Sequence, residues 1–192
     1  MTCIVGFIEG DDIWMGGDSA AASGWSLTVR ADQKVFRNDS MLFGFTTSFR
    51  MGQLLRFALK IPDHDPRLEI EKYMTTCFID AVRECLKAHG WASKEKESEQ
   101  GGSFLVGYKG KLFRVDGDYQ VGIPADGYDA VGCGGDIARG ALFATPHLSG
   151  LSRADMALRA AERCSAGVRG PFHIEVLEGI PGAVATPIHA VA

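Results

Sequence analysis

The chain has 192 residues, of which 46% are hydrophobic and 23% charged, and its net charge is −4. These values are typical of a globular protein with one full core, so we expect a single domain over residues 1–192. No basic patch suggests nucleic-acid binding, and no apolar run approaches the roughly 20 residues that span a membrane. Five scattered cysteines and a start without a signal-peptide pattern predict a reduced, cytoplasmic setting.

Two β-hairpins are predicted near the start of the chain. Short apolar runs lie on either side of polar turns, which is the pattern of antiparallel strands joined by tight connections. The paired runs cover residues 3–8 with 13–18, and 34–37 with 41–45.

Two helices are predicted next. Residues 51–59 are apolar on one side, and from Pro66 to Gly90 apolar residues recur at three- and four-residue steps. Pro66 suits the first turn of the second helix and Gly90 its end. The polar run Ser93–Gly102 predicts a solvated loop.

The second half of the chain returns to strands and adds two more helices. Strands are predicted at 103–108, 112–116, 128–131 and 172–177, and helices at 137–143 and from Ser152 to about Cys164. Ser152 opens the last helix with a capping-box-like pattern. This order of strand runs and helix runs favours a layered α+β domain, with helices stacked on an antiparallel sandwich.

Three residues with complementary chemistry recur at equal spacing near the start. Thr2 follows Met1, Asp18 lies 16 positions later (18 − 2), and Lys34 lies 16 beyond that (34 − 18). Once Met1 is removed, Thr2 carries both a hydroxyl nucleophile and an α-amine that can act as its base. Taken singly, Asp18 reads equally well as a turn residue and Lys34 as an exposed charge at a strand edge.

The stretches around these residues resemble a known family. Thr2-Cys-Ile-Val-Gly, Gly-Gly-Asp18-Ser and Lys34-Val-Phe are similar to the start of a proteasome β-type subunit. They are most similar to the peptidase subunit of the bacterial two-component ATP-dependent (HslV-type) protease. The resemblance implies the N-terminal-nucleophile hydrolase fold, a four-layer αββα sandwich. It also implies a threonine-type endopeptidase that cleaves unfolded polypeptides after Met1 is removed.

The resemblance assigns a role to each of the three residues. Thr2 would be the nucleophile, Asp18 would orient Lys34, and Lys34 would activate the hydroxyl electrostatically. A charged Lys34 would favour ionisation of the hydroxyl and lower the pKa of the amine by like charge. Because the reference pKa of an α-amine is about 7.7–8.0, a useful fraction is neutral near that pH and can accept the hydroxyl proton.

Two further positions match catalytic features of the family. The oxyanion hole, whose donors are backbone N–H groups, falls on Ser48 where the family has glycine. Ser48 could equally cap the following helix. Cys133, within Gly132–Gly135, replaces a serine whose hydroxyl bonds near the threonine amine, and a thiol is a weaker donor and acceptor. The glycines match no nucleotide-binding pattern, so we reject that function for this turn.

The proposed chemistry requires no cofactor, and the histidines show no metal-like grouping that would predict zinc. In the family, backbone carbonyls just after the helix that is predicted to end at about Cys164 often hold Na⁺ or Mg²⁺. The resemblance places such carbonyls at Glu162, Ser165 and Val168. An ordinary helix C-terminus explains the same stretch.

The resemblance also implies a pocket for the substrate side chain that precedes the scissile bond. Its lining would consist of Ala21, Ala22, Asp32, Phe36, Thr46 and Arg50. Thr46 at the base and Phe36 on the wall favour a medium-sized apolar side chain. Asp32 and Arg50 would instead add charge selectivity.

Three of the five cysteines are predicted to be buried. Cys3 follows the nucleophile, and strand alternation turns its side chain to the opposite face, so we assign it to the core. Cys77 and Cys85 lie within the helical pattern and read as small buried apolar residues.

Relatives of this kind form homo-oligomeric rings, as hexamers or heptamers that stack, and confine cleavage to unfolded polypeptide. The resemblance therefore implies a ring, and by analogy an ATPase unfoldase as partner. Two alternatives remain open: an amidohydrolase that acts on small amides without a ring, and a catalytically inactive structural or assembly protein. The departures at Ser48 and Cys133 favour the inactive alternative.

Overall fold

The computed structural model describes residues 1–24, 26–91, 93–95 and 98–179. Within these residues the strands are β1 (Ile4–Glu9), β2 (Asp12–Gly17), β3 (Ala20–Ser23), β4 (Ser26–Val29), β5 (Val35–Asn38), β6 (Met41–Phe45), β7 (Ser93–Glu95), β8 (Ser98–Gln100), β9 (Phe104–Tyr108), β10 (Lys111–Val115), β11 (Val121–Gly122), β12 (Tyr128–Val131) and β13 (His173–Leu177). The helices are α1 (Phe49–Phe57), α2 (Ile70–Tyr73), α3 (Ile79–Ala88), α4 (Gly135–Ala144) and α5 (Gly150–Cys164). A π-helical segment, Met74–Phe78, joins α2 to α3.

Two antiparallel sheets form the centre of the molecule. The first has the strand order β12-β1-β2-β13, and the second has the order β11-β10-β9-β6-β5. Two smaller hairpins, β3-β4 and β7-β8, lie outside these sheets. Each large sheet is built around a tight hairpin, β1-β2 in the first and β9-β10 in the second.

The helices cover the outer face of each sheet, which gives the four layers αββα. On the first sheet α4 and α5 pack through small side chains, including Ala138, Ala154 and Ala161. On the second sheet α1 and α3 cover a core rich in aromatic rings, where Phe36 stacks on Phe43 at 5.5 Å. The αββα sandwich expected from the sequence is therefore confirmed.

A third apolar cluster fills the space between the two sheets. Ile4 and Met15 of the first sheet meet Leu42 and Leu105 of the second. Gly44 of β6 faces this interface, and a Cβ there would lie 2.5 Å from Ile4 Cγ2 and 2.6 Å from Met15 Sδ. Glycine at this position lets the two sheets approach closely.

The structure corrects several predicted element boundaries. The second helical region begins at Ile70 rather than Pro66, and α5 begins at Gly150 rather than Ser152, which opens no capping box. Ser48 caps α1 through its side chain, which accepts the Arg50 N–H at 3.0 Å. The helix consequently starts two residues earlier than the apolar pattern indicates.

The sequence patterns did not predict three of the strand features. The β3-β4 hairpin consists largely of Ala and Ser, which have little strand propensity, and every residue of β4 is exposed. The described parts of Ser93–Gly102 include the paired strands β7 and β8 rather than only a loop. The two-residue strand β11 is too short to give a pattern.

The burial of the cysteines is also partly corrected. Cys3 and Cys85 are buried as expected, but Cys77 is exposed because it lies on the outer side of the π-helical segment. In the described part of the chain, no helix combines the length and apolar character needed to cross a membrane.

Candidate active site

The ends of two strands and the start of a third converge on one point. In the β1-β2 hairpin Ile4 pairs with Gly17, so Thr2 just before β1 and Asp18 just after β2 lie at the same end of the sheet. Lys34 immediately precedes β5 of the other sheet. The close packing of the sheets brings all three residues together.

The three side chains form a buried hydrogen-bonded line. Lys34 Nζ lies 3.1 Å from Thr2 Oγ1 and 2.7 Å from Asp18 Oδ1. Thr2, Asp18 and Lys34 are only 5%, 2% and 1% exposed. Neither single-residue alternative, an open turn for Asp18 or an exposed edge for Lys34, describes these positions.

Asp18 is fixed by the backbone as well as by the lysine. Its Oδ1 accepts the Cys3 N–H at 2.9 Å, while its Oδ2 accepts the N–H groups of Ala20 at 3.0 Å and Arg169 at 3.2 Å. These bonds use both carboxylate oxygens and leave Asp18 little freedom to rotate. The carboxylate therefore sets the position of the Lys34 ammonium.

The environment of Lys34 changes its acidity. Burial lowers the pKa of Lys34 below its ordinary value, and the Asp18 carboxylate opposes this shift by charge attraction and hydrogen bonding. Burial also raises the pKa of the neighbouring Cys3 thiol to about 12, so that thiol stays protonated. Of these neighbouring groups, the ammonium is the one placed to interact with the Thr2 hydroxyl.

Cys133 contacts the backbone of the nucleophile. The Thr2 N–H donates to Cys133 Sγ at 3.3 Å, and the Ser165 hydroxyl donates to the same sulfur at 3.5 Å. The Thr2 hydroxyl donates to the Met1 carbonyl at 2.5 Å. While the Met1–Thr2 peptide bond is intact, the nitrogen of Thr2 is an amide and has no basic lone pair.

The turn that carries Cys133 depends on glycine at one position. Gly132 has φ +98°, and a Cβ on it would lie 2.2 Å from the Thr2 carbonyl oxygen. Gly134 then donates its N–H to that same oxygen at 3.2 Å. The turn therefore packs against the Thr2 carbonyl and holds it by a hydrogen bond.

The segment between β6 and α1 adds a polar wall. Thr47 has φ +67°, and its hydroxyl accepts the Ser103 N–H at 3.1 Å. In this conformation the Ser48 N–H donates to the Thr46 carbonyl at 2.7 Å. An oxyanion donor at Ser48 requires that bond to open, so its assignment to Ser48 stays a prediction.

A cavity of about 220 Å³ opens beside Thr2. Its lining consists of Met1 and Thr2, Ala21, Ala22 and Ser23 of β3, Ser26 and Thr28 of β4, and residues 45–49. Ala21, Ala22 and Thr46 therefore lie where the pocket was expected.

Three of the expected pocket residues lie outside this lining. Phe36 faces the helices and is 1% exposed within the aromatic core, so its assignment to the pocket wall is wrong. Asp32 is bound to Arg30, and Arg50 is exposed on the first turn of α1. The aromatic side chains that line the cavity are instead Phe45 and Phe49, whose ring centroids lie 5.7 Å apart.

Phe49 is the main residue that the sequence argument overlooked. Phe49 is the first residue of α1. Recognising Ser48 as the N-cap of this helix would have placed Phe49 directly after the Thr46–Ser48 segment and so beside the cavity. Ser165 was considered only as a cation ligand, although its hydroxyl contacts Cys133.

The proposed cation ligands lie near the end of α5. The Ser165 carbonyl accepts the Val168 N–H at 3.2 Å, and the Glu162 carboxylate accepts the Gly170 N–H at 2.9 Å. Carbonyl oxygens have a second lone pair, so the Ser165 carbonyl could still contribute to a Na⁺ or Mg²⁺ site. That site stays a prediction.

No family model and no curated protein matches the chain. Solved structures match over nearly its whole length. A structure of BPH from Thiobacillus denitrificans in complex with epoxomicin superposes with a TM-score of 0.78 at 20% identity, and covers 94% of this chain and 100% of that one.

Two further solved structures show the same architecture. HslV from Trypanosoma brucei has a TM-score of 0.65 at 23% identity, and the alignment covers 92% of this chain and 99% of that one. Anbu from Yersinia bercovieri has a TM-score of 0.62 at 13% identity, with coverage of 91% and 81%. All three are proteasome-type N-terminal-nucleophile hydrolases, and this chain has their fold.

Proposed function

We propose that this chain is a proteasome-like threonine peptidase that cleaves unfolded polypeptides after Met1 is removed. The observation that carries the proposal is the buried Lys34 ammonium, 3.1 Å from the Thr2 hydroxyl and 2.7 Å from Asp18. A buried lysine between a hydroxyl and a carboxylate is expensive to desolvate, and a purely structural core has no need of it.

The reaction starts when the free amine of Thr2 accepts the proton of the Thr2 hydroxyl, directly or through a water molecule. The hydroxyl oxygen bonds to the substrate carbonyl carbon, and the electron pair of the C=O bond moves onto its oxygen. The tetrahedral intermediate collapses to an ester on Thr2, and the leaving amine takes the proton from the Thr2 ammonium. Water then hydrolyses the ester and restores the hydroxyl.

Three residues assist these steps. The Lys34 charge stabilises the developing negative charge on Oγ1, and Asp18 holds the ammonium in place. Cys133 lies 3.3 Å from the Thr2 nitrogen and orients the amine, with its sulfur in turn contacted by Ser165. A backbone N–H of the 46–48 segment would stabilise the oxyanion.

The comparisons support a hydrolase of the peptidase kind. BPH, the neighbour with a TM-score of 0.78, is found in complex with epoxomicin. The likeness covers both chains almost completely, so the site and its surrounding framework are compared together. Assembly into a hexameric or heptameric ring, served by an ATPase unfoldase, belongs to this proposal. Exposed apolar side chains such as Phe57 and Phe143, 78% and 75% exposed, offer surface for such contacts.

The decisive experiment measures covalent labelling of Thr2. Intact mass spectrometry first establishes that the purified chain begins at Thr2, and a peptidyl epoxyketone is then added. We expect one adduct per chain, mapped to Thr2 by peptide sequencing, together with hydrolysis of an unfolded protein substrate. Thr2→Ala should abolish both signals, and Thr2→Ser, which keeps the hydroxyl and the amine, should retain labelling.

The outcome also separates the alternatives. A trimmed chain that neither labels nor cleaves would contradict the proposal and favour an inactive protein. Labelling without hydrolysis of unfolded protein, in a species that native mass spectrometry shows to be monomeric, would instead favour an amidohydrolase for small amides.

A further inference from the structure

The cavity beside Thr2 is small and has no charged lining residue. With Met1 still forming part of its lining, its volume is about 220 Å³, below the roughly 300–1,000 Å³ of sites that hold a whole small-molecule ligand. It therefore suits one side chain of a peptide. Most of its lining is hydroxyl-bearing, Ala or Phe, so the polar groups facing the cavity are neutral.

Two cations nevertheless lie close to the Phe49 ring, which lines this cavity. The Arg30 guanidinium lies 4.1 Å from the centroid of the Phe49 ring, and Lys34 Nζ lies 5.6 Å from it. Neither cationic side chain lines the cavity, whereas Phe49 does. The ring is thus the cavity-lining group against which the Arg30 guanidinium packs, and cation–π attraction stabilises it in that position. The Lys34 charge is directed instead at the Thr2 hydroxyl, 3.1 Å away.

The Arg30 charge is also neutralised. Its Nε and Nη2 donate to the two carboxylate oxygens of Asp32 at 2.6 and 2.7 Å. This two-point bond holds the pKa of the Asp32 carboxyl below its usual value, so Asp32 remains charged and occupied by Arg30. Asp32 consequently has no free charge with which to select a basic substrate.

We infer that Phe49 is a specificity-determining residue, which limits the side chain before the scissile bond to small uncharged groups. The ring caps the depth of the pocket against large side chains. It also covers the Arg30 guanidinium and so keeps that charge from attracting acidic ones. This inference rests on the proposed peptidase function and assigns its substrate class.

The test uses four peptidyl epoxyketones that differ only in the side chain before the warhead: Ala, Phe, Glu and Lys. Rates of adduct formation are measured by intact mass on chain that begins at Thr2. The ratio of two rates within one variant cancels any change in the reactivity of Thr2. The wild-type chain should react with the Ala compound at least about tenfold faster than with each of the others, the usual range for a shape-selective apolar pocket.

Two variants then isolate the ring. In Phe49→Ala the preference for Ala over Phe should fall to within about threefold, whereas Phe49→Leu, which keeps an apolar wall, should still reject Glu and Lys by roughly tenfold. In the double variant Phe49→Ala/Asp32→Asn, the uncovered and unpaired Arg30 should raise the relative rate with the Glu compound about tenfold or more. Asp32→Asn alone should leave the ratios unchanged because Phe49 still covers the guanidinium.

The results separate the role of Phe49 from the peptidase function itself. If wild-type chain labels but prefers Glu, Lys or Phe, or if Phe49→Ala leaves all ratios unaltered, the role of Phe49 is overturned while the peptidase assignment stands. If no compound labels the trimmed wild-type chain, the peptidase proposal fails and this inference fails with it.

Discussion

Two ion pairs of almost equal length lie close to Phe49, and they differ in their surroundings. Lys34 and Asp18 are 2.7 Å apart with side chains 1% and 0% exposed. Arg30 and Asp32 are 2.6 Å apart with side chains 40% and 42% exposed. The buried pair forms the centre of the candidate site, and the exposed pair packs through Arg30 on Phe49, which lines the cavity beside it.

The difference shows that ion-pair distance alone does not reveal function. Exposed pairs are screened by water and typically contribute about 0.2–1 kcal/mol. Buried charges pay a large desolvation penalty, and Asp18 offsets its own by accepting three backbone N–H bonds besides that of the lysine. Because the Lys34–Asp18 pair is buried next to the Thr2 hydroxyl, the Lys34 charge can act on that hydroxyl with little screening by water.

The largest expected effect follows from removing the buried carboxylate. Asp18→Ala leaves the Lys34 ammonium and three backbone donors without their acceptor, so we expect a loss of about 3–5 kcal/mol in the free energy of unfolding. Peptide hydrolysis should fall about 10²–10⁴-fold. Urea unfolding and steady-state rates measure the two effects. Asp18→Asn is the control, since it keeps the shape of the side chain and should be less destabilised while still losing activity. Equal stability of Asp18→Ala and wild type would contradict the distinction between the buried and the exposed ion pair.

The second prediction concerns pH. A charged Lys34 is required, and burial lowers its pKa, so activity should decline on the alkaline side at a pH below the 10.5 of an ordinary lysine. Past that pKa the rate should drop roughly tenfold per pH unit. Because the Asp18 carboxylate raises the pKa of Lys34, Asp18→Asn should move this limb to lower pH. A limb at or above pH 10.5, measured as kcat/KM against pH, would count against a buried, charge-dependent lysine.

The third prediction replaces the thiol beside the nucleophile. In Cys133→Ser a hydroxyl, which is a stronger donor and acceptor, takes the place of Sγ 3.3 Å from the Thr2 nitrogen. One improved hydrogen bond is worth about 0.5–1.5 kcal/mol, so kcat should rise roughly 2–10-fold. Cys133→Ala should lower kcat instead. Equal rates in all three proteins would show that the sulfur does not orient the amine.

The smallest effect is expected at the exposed pair. Asp32→Ala should change the free energy of unfolding by less than about 1 kcal/mol, and moderate salt should reduce even that difference. Urea titrations at low and high ionic strength measure it. A loss comparable with that of Asp18→Ala would remove the distinction between the two pairs.

Much of the buried site follows from local rules in the sequence. The β1-β2 hairpin fixes Thr2 and Asp18 at one sheet end, and the turn at Gly132 reads directly as a glycine-rich connection. Placement of Lys34 depends on how two sheets pack, which hydrophobic patterns do not specify, and here the family resemblance supplied the expectation.

The lining of the cavity was harder to predict because it depends on which way each side chain faces. Phe36 was placed in the pocket, yet the alternation of β5 turns it toward the helices and leaves Val35 between the sheets. The β3-β4 hairpin, which supplies five lining residues, begins with Ala20–Ser23, whose Ala and Ser residues give no strand pattern. Phe49 lay outside the apolar periodicity of α1 because the helix start was set by apolar spacing rather than by the Ser48 cap.

The turn at Gly132 bears on how functional relatives of this chain can be recognised. The thiol of Cys133, next to it, contributes a side-chain contact to the Thr2 nitrogen, which a small polar group such as a hydroxyl would also supply. At Gly132 any side chain would enter the space of the Thr2 carbonyl and push the nucleophile out of line with the ammonium. A search motif for active enzymes of this shape should therefore require the glycine and allow any small polar residue after it, the reverse of a motif built on reactive side chains.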